Sequence, residues 1–516
     1  MRKLKMVLVL ISLVTTQVVV AQEDYLKRGD KLFENQVYSE AAKIYLTYLQ
    51  QTYDYDVNYK LAECFRNMNM TAEAEFWYEV IVNQSTADAD IILNYANLLK
   101  SNGKYKSAKS YYLKYGAYDD DGFYYASTCD WALANENKKA NFIIDTIGIN
   151  TPGSEITPAF FKRGIIFSGS EGKEVNVSTG LPYYDLFYSE KKNDSVWSKA
   201  PLSSMVNSRL HEASASFDPI DDILYFTRNN HNKNRTITSK DNEVKLELFY
   251  SNYVGNKFLS PKPMPFNSKS YSVGQSTISP DGTILIFASD RPGGYGGADL
   301  YFTTKKGDGW SAVKNMGPVV NSGGDELFPF MDAEGNLYFS SDWFPGFGGL
   351  DIFKTHRSGD HWTVPVNAGK PLNSSQDDFG FIIKNGNGYF TSNRPGGKGS
   401  DDIYAVTEAL PLTKIYVYDT NMKPISKARI TLAESPKTQP VCETDVNGMC
   451  DISALSGSNM SIRISKEGYL DKVVNNLGNY MSSNGILPVE LQPLLGANDN
   501  NAPTPNTENI TQKNNN

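Results

Sequence analysis

The stretch that decides how this chain folds is Ser289–Phe302, SDRPGGYGGADLYF. Its glycines at 293, 294, 296 and 297 invite comparison with a phosphate-binding loop, which comes after a strand, opens a helix and aims backbone N–H groups at the anion. Here the glycines lead instead into Leu300, Tyr301 and Phe302, a short aromatic strand-like run that ends in a turn signal at Gly307. The stretch also recurs, as SDWFPGFGGLDIFK from Ser341 and SNRPGGKGSDDIYA from Ser392. Recurrence marks a unit of architecture, in which the glycines let the chain cross between two strands without side chains.

From about Asn141 to Leu410 that unit repeats with a period of roughly 50 to 60 residues. An Asp-hydrophobic-aromatic triplet marks it at Asp185, Asp299, Asp351 and Asp402, with Glu247 standing in once. Strand-like runs precede the triplets and keep Phe167, Phe226, Phe287, Phe339 and Phe390 in register, while Trp197, Phe258, Trp310 and Trp362 come after them. The four aspartates are expected to form a structural turn motif, accepting backbone N–H groups that hold the turn closed. The first two copies lack the glycine run and carry insertions at 169–183 and 229–245, where variation and binding are expected to sit.

The unit resembles the WD-repeat-like, TolB-related β-propeller repeat, with its SPDG turn at Ser279–Gly282. The resemblance implies a propeller over 141–410, of five blades with six as the alternative count. Asn150 precedes the first copy as Asn207, Asn321 and Asn373 precede later ones. NFIIDTIGIN at 141–150 is therefore read as the outer strand of the last blade, donated from the N-terminal side, which favours five.

Residues 22–140 read as helical, with Ala41, Ala74 and Ala108 recurring at about 34 residues. Tyr45, Tyr78 and Tyr112 each stand four positions later, and Gly29, Ala62 and Ala96 lie upstream where a paired helix would cross closely. This resembles the tetratricopeptide repeat, an all-α solenoid in which small residues permit close helix packing and aromatics fill the gaps. A helix around Phe123 to Ala134 is expected to cap it. Asn58, Asn94 and Asn97, on the first helices of their pairs, are candidates for a peptide-binding groove.

Residues 411–493 alternate around turn signals at Met422–Ile425, Asn447–Gly448 and Glu467–Tyr469, which predicts a small seven-strand-like β-sandwich. They resemble the carboxypeptidase regulatory-like domain. Cys442 and Cys450 flank the Asn-Gly turn, so a hairpin disulfide is open to them if the register allows. The tail, 494–516, is polar and expected to be disordered.

At the N-terminus, Arg2, Lys3 and Lys5 precede an apolar run from Met6 to Val14 and a small-residue end at Ala21, the pattern of a signal peptide over 1–21. Its loss would take the formal charge from −8 to about −11, a balance that argues against nucleic acid. No later segment is apolar enough to span a bilayer.

Signs of catalysis are weak. His211 opens HEASA without a second histidine, His356 and His361 bracket a hairpin turn, and no GxSxG elbow occurs. Asp119–Gly122 lacks the alternating acids of a calcium loop. The expectation is a non-enzyme without cofactor, metal or catalytic residues.

The order of parts resembles envelope proteins associated with type IX secretion and gliding in Bacteroidetes, whose relatives usually end in an OmpA-type peptidoglycan-binding domain that has no counterpart here. The resemblance implies a periplasmic or outer-membrane-associated scaffold binding other envelope proteins, with direct peptidoglycan binding in doubt. The alternatives are an exported glycan-binding or hydrolytic propeller and a surface adhesin.

Overall fold

The computed structural model describes residues 23–494 except 85–86, 139, 172–174, 177–179, 194–195, 233–234, 237–238, 240–242, 360, 411, 434–439, 456–459, 476, 478–479, 481 and 483. The expected signal peptide, nearly all of the tail and parts of both insertions lie outside the described residues. The chain divides into two compact units. One holds the residues up to 140 with 146–384 and 388–405, the other 141–145, 385–387 and the residues from 406 onward.

The first unit begins with seven described helices: α1 (23–34), α2 (Tyr38–Leu49), α3 (Tyr55–Asn67), α4 (Thr71–Val82), α5 (Ala89–Ser101), α6 (Tyr105–Tyr115) and α7 (Asp121–Asn135). Gln36, Asn69 and Gly103, at φ 59, 57 and 73°, take the left-handed conformation that stops α1, α3 and α5 and turns the chain back. Asp54 caps α3 by accepting from Val57 N at 3.1 Å. Ala41, Ala62, Ala74, Ala96 and Ala108 are wholly buried where helices cross, and Tyr45, Tyr78 and Tyr112 fill the space beside them. At Gly29 a side chain would meet Ile44 at 2.7 Å, so glycine sets how closely α1 approaches α2.

Antiparallel sheets make up the rest of this unit. The first is Glu155–Phe161, Gly164–Gly169, Asp185–Ser189 and Ala200–Pro201. The second is built on Glu212–Asp218, Ile223–Asn229 and Leu246–Val254, the third on Val273–Ile278, Ile284–Ser289 and Asp299–Lys306. The fourth is Glu326–Met331, Leu337–Ser341, Asp351–Thr355 and Val366–Asn367. The fifth is built on Asp378–Lys384, Asn387–Ser392 and Asp402–Glu408, and the end of the last of these, with the paired Phe142–Thr146 as far as Asp145, belongs to the second unit.

The opening strands of successive sheets are neighbours, and the opening strand of the fifth again neighbours that of the first. Thr157, Ser214, Gln275, Phe328 and Gly380, each the third residue of its opening strand, have φ between 48 and 62°. In the first four sheets a register shift lies beside this residue, the mark of a bulge that bends and twists the strand. Phe167, Phe226, Phe287, Phe339 and Phe390 are all buried, as their shared register predicts.

In the second unit, Ala409 N donates to Asn141 O at 2.7 Å. Beyond it lie a three-stranded sheet, in the order Met449–Asp451, Lys414–Asp419, Ile486–Leu491, and a four-stranded one, Cys442–Glu443, Arg429–Leu432, Ile462–Ser465, Lys472–Val474. Ile415, Val417, Ile430, Ile462, Ile464 and Val489, drawn from both sheets, share one apolar core. Cys442 and Cys450 are joined, with Cα atoms 6.2 Å apart.

Candidate functional site

Four of the five joints between sheets share one recurring device among the described residues. A backbone N–H at the start of an opening strand donates to the turn of the sheet before it: Glu212 N to Tyr184 O at 2.9 Å, Glu326 N to Ala298 O at 2.7 Å and Asp378 N to Leu350 O at 2.7 Å. Glu155 N makes the same bond to Asp401 O at 2.9 Å, so the fifth sheet meets the first as the others meet their neighbours. An asparagine completes the device by clasping a backbone N–H and C=O together. Asn207 clasps Leu186, Asn267 Leu248, Asn321 Leu300, Asn373 Ile352 and Asn150 Ile403.

The glycine turns sit inside this device. Asp299 accepts from Tyr295 N at 2.8 Å and Gly296 N at 3.3 Å, Asp351 from Phe347 N at 2.8 Å and Gly348 N at 3.1 Å, and Asp402 from Lys398 N at 2.6 Å and Gly399 N at 3.2 Å. A side chain at Gly348 would strike Ser375 O, and one at Gly399 would strike Gly153 O. The glycines thus admit the backbone of the adjacent sheet. Asp185 departs from the expected role: it is half-buried and accepts no such bond among the described residues. Its copy lacks the glycine run, and part of the segment before it lies outside the described residues.

A second set of carboxylates, which the sequence pattern alone does not single out, stands five positions after the clasping asparagines. Glu155, Glu212, Glu326 and Asp378 are wholly buried at the starts of their strands. Glu155 meets Lys199 at 3.2 Å, Glu212 meets Arg228 at 2.6 Å and Asp378 meets Arg394 at 2.5 Å. In the third sheet the strand opens with Val273, six positions after Asn267, and Arg291 lies instead over the Tyr271 and Tyr301 rings. Glu326 has no cationic partner among the described residues. Burial pushes its carboxyl up to about 7, opposed by bonds from Ser322 and Ser341.

The residue that occupies the arginine's position in the fourth sheet is Trp343, and it has another task. Its ring stacks on Tyr124 of α7 at 5.1 Å, and the Tyr124 hydroxyl donates to Trp343 O at 3.1 Å. Phe347, in the same turn, is buried within the core of the helical array against Trp131. The corresponding residues of the other two glycine turns are Arg291 with Tyr295 and Arg394 with Lys398. The change from SDRPGGYGG to SDWFPGFGG is thus the sequence signal for docking of the helices on the fourth sheet. Burying Phe347 there is worth about 1.5 to 3 kcal/mol, and the half-buried Trp343 adds a smaller share. Lys100 of α5 is buried near Asp351, with burial pushing the lysine down and the aspartate up to about 7.

Beside this junction a cleft of about 880 Å³ lies between α4, with the α3–α4 connection, and loops of the first and fifth sheets. Asn69 donates to Asp377 at 3.0 Å and Gln376 to Ser101 O at 2.7 Å, which ties helices and loops together along it. Burial pushes Asp401, on its wall, up to about 6.

The asparagine groove needs correction. Asn58 is buried, and its amide donates to Asp54 O at 2.6 Å, so it serves its own helix and is closed to a peptide. Asn94 donates to the Tyr78 hydroxyl at 3.2 Å, and Asn97 accepts from that of Tyr112 at 2.7 Å. Asn97 alone of the three is exposed. His211 is packed between Tyr183 and Tyr184 and is pushed down to about 4 by burial, while its Nδ1 accepts from Tyr184 N at 3.1 Å. Among the described residues no group of three or more His, Cys, Asp or Glu is placed to hold a metal ion, and no helix is long and apolar enough to cross a membrane.

No protein-family profile and no curated protein matches the sequence. Solved structures do show similarity, at low levels. A thermostable family-43 glycoside hydrolase aligns with 52% of this chain and 92% of its own, at 12% identity and a TM-score of 0.34. TolB from Acinetobacter baumannii aligns over 58% of this chain and 69% of its own, at 13% identity and a TM-score of 0.30. A putative TolB from Agrobacterium tumefaciens aligns over 49% and 78%, at 12% identity and a TM-score of 0.30. No activity transfers at such similarity.

Proposed function

We propose that this chain is a non-catalytic, exported scaffold, periplasmic or outer-membrane-associated, whose helical array and sheets hold other envelope proteins. In this reading the five sheets are the blades of a five-bladed propeller, closed by the clasp of Asn150 on Ile403. The helices are a tetratricopeptide array, and the two C-terminal sheets are an accessory sandwich of the carboxypeptidase regulatory-like kind. A role in type IX secretion or gliding belongs to the same proposal and rests on the order of these parts.

The observation that carries the scaffold reading is the use made of the recurring carboxylates. Asp299, Asp351 and Asp402 accept from backbone N–H groups, and Glu155, Glu212 and Asp378 pair with Lys199, Arg228 and Arg394. Groups engaged in this way serve the joints between sheets, which supports a structural role for them. The purified chain, incubated with envelope glycans and with peptides, is expected to leave both intact. Turnover of either would overturn the reading in favour of a hydrolytic propeller.

A further inference from the structure

The cleft beside α4 has a composition that selects its occupant. Glu73, Phe76 and Glu79 lie one turn apart on the exposed side of α4, and Phe76 is 58% exposed although it is a large apolar side chain. All three line the cleft. On the floor, Glu75 is satisfied by Lys104 at 2.5 Å and Asn102 at 2.8 Å. That pairing uses the lysine of the lining. Glu73 and Glu79 have no cationic partner among the described residues, and Asp401 adds a third carboxyl from the opposite wall.

An aromatic face with a carboxylate one helical turn to either side matches one side chain better than any other. A guanidinium stacks flat on the ring while its N–H fork reaches carboxylates, whereas an ammonium is a compact, strongly hydrated point charge. The volume lies within the range of clefts that take small ligands or a few residues of a peptide. Met70 and Leu181, 38 and 43% exposed, add apolar surface to the same lining.

We propose that the cleft binds an arginine-bearing segment of a partner protein, with the guanidinium on Phe76 between Glu73 and Glu79 and a neighbouring apolar side chain against Met70 and Leu181. This rests on the scaffold reading and gives it a place and a chemistry. The site is formed by the second helix of a pair together with sheet loops, and it owes nothing to the asparagines of the first helices.

The test uses the full chain and a fluorescein-labelled peptide of alternating arginine and leucine, followed by anisotropy. Matched peptides carry lysine or glutamate in place of arginine. Binding is expected in the order arginine, then lysine, with none for glutamate, and it should weaken as salt rises. Phe76→Ala and the double variant Glu73→Gln with Glu79→Gln should each weaken the arginine peptide by about tenfold or more. Glu334→Gln, an exposed residue of the turn between Glu326–Met331 and Leu337–Ser341 and outside the cleft lining, should leave it unchanged. Absence of binding, or equal binding by wild type and Phe76→Ala, would overturn the proposal. Failure of the scaffold reading looks different, since it appears as turnover of a glycan or peptide by the wild-type chain whatever the state of Phe76.

Discussion

Replacing Glu326 with Gln should make the protein more stable in mild alkali and change little in acid. Glu326 is wholly buried, its counterparts in three other sheets have a cation beside them, and among the described residues its hydrogen-bond partners are the hydroxyls of Ser322 and Ser341 and the Ser322 N–H. Burial is the largest influence on it and raises it from 4.5 to about 7. At about 1.4 kcal/mol per pH unit, such a carboxyl costs the folded state roughly 3 kcal/mol when it must ionise. A raised carboxyl contributes its full stability below its unfolded value near 4.5, and that contribution is lost as pH rises through 7. Asp351 and Asp401, raised to about 7 and about 6, titrate over an overlapping window, so the wild type alone does not isolate the effect. The difference between wild type and Glu326→Gln does. Urea unfolding at intervals from pH 5 to 8.5 should give curves that nearly coincide at pH 5 and separate in favour of the variant by about 2 to 3 kcal/mol at pH 8.5. Parallel curves at every pH would show that Glu326 is not a buried, unpaired acid.

Other substitutions probe the joints. Asp299→Ala leaves the Tyr295 and Gly296 N–H groups without an acceptor and should cost about 1 to 3 kcal/mol by denaturant unfolding, and an unchanged midpoint would remove the aspartate from the turn. Phe347→Ala empties a site in the core of the array and should cost about 3 to 5 kcal/mol, with faster hydrogen exchange in α5 to α7, whereas an effect below about 1 kcal/mol would deny that the helices dock there. Asn150→Ala and Asn207→Ala should destabilise to a similar degree, about 1 to 3 kcal/mol, because each frees a buried N–H and C=O at the junction of two sheets. A harmless Asn150→Ala beside a damaging Asn207→Ala would mean that the fifth sheet is not joined to the first as the others are joined.

Much of the architecture is legible in the sequence because it repeats. Alanines and tyrosines in one phase place the helix crossings, and the triplet with its upstream phenylalanine places the strands. The strand Phe142–Thr146 is legible from Asn150, whose position before the first copy matches that of its later counterparts. What the repeat hides is its own exception. Trp343 and Phe347 look like drift within a glycine turn, and only contact with α7 gives the change a purpose. The groove asparagines fail for a local reason: the Asn58 amide folds back onto the Asp54 carbonyl, which also accepts from Asn58 N, so the side chain is engaged by its own helix. The cleft is out of reach of pattern reading, because Phe76 and Asp401 come together only after three hundred or so residues of intervening chain have folded.

The most direct test of the scaffold account is cross-linking in intact envelopes of cells that make the full chain, followed by denaturing isolation and mass spectrometry of the linked peptides. The account predicts links from the residues around α4 and the cleft to other envelope proteins, lost in Phe76→Ala without loss of the folded chain. Recovery of the chain linked only to itself, with no envelope partner in wild type, would contradict it.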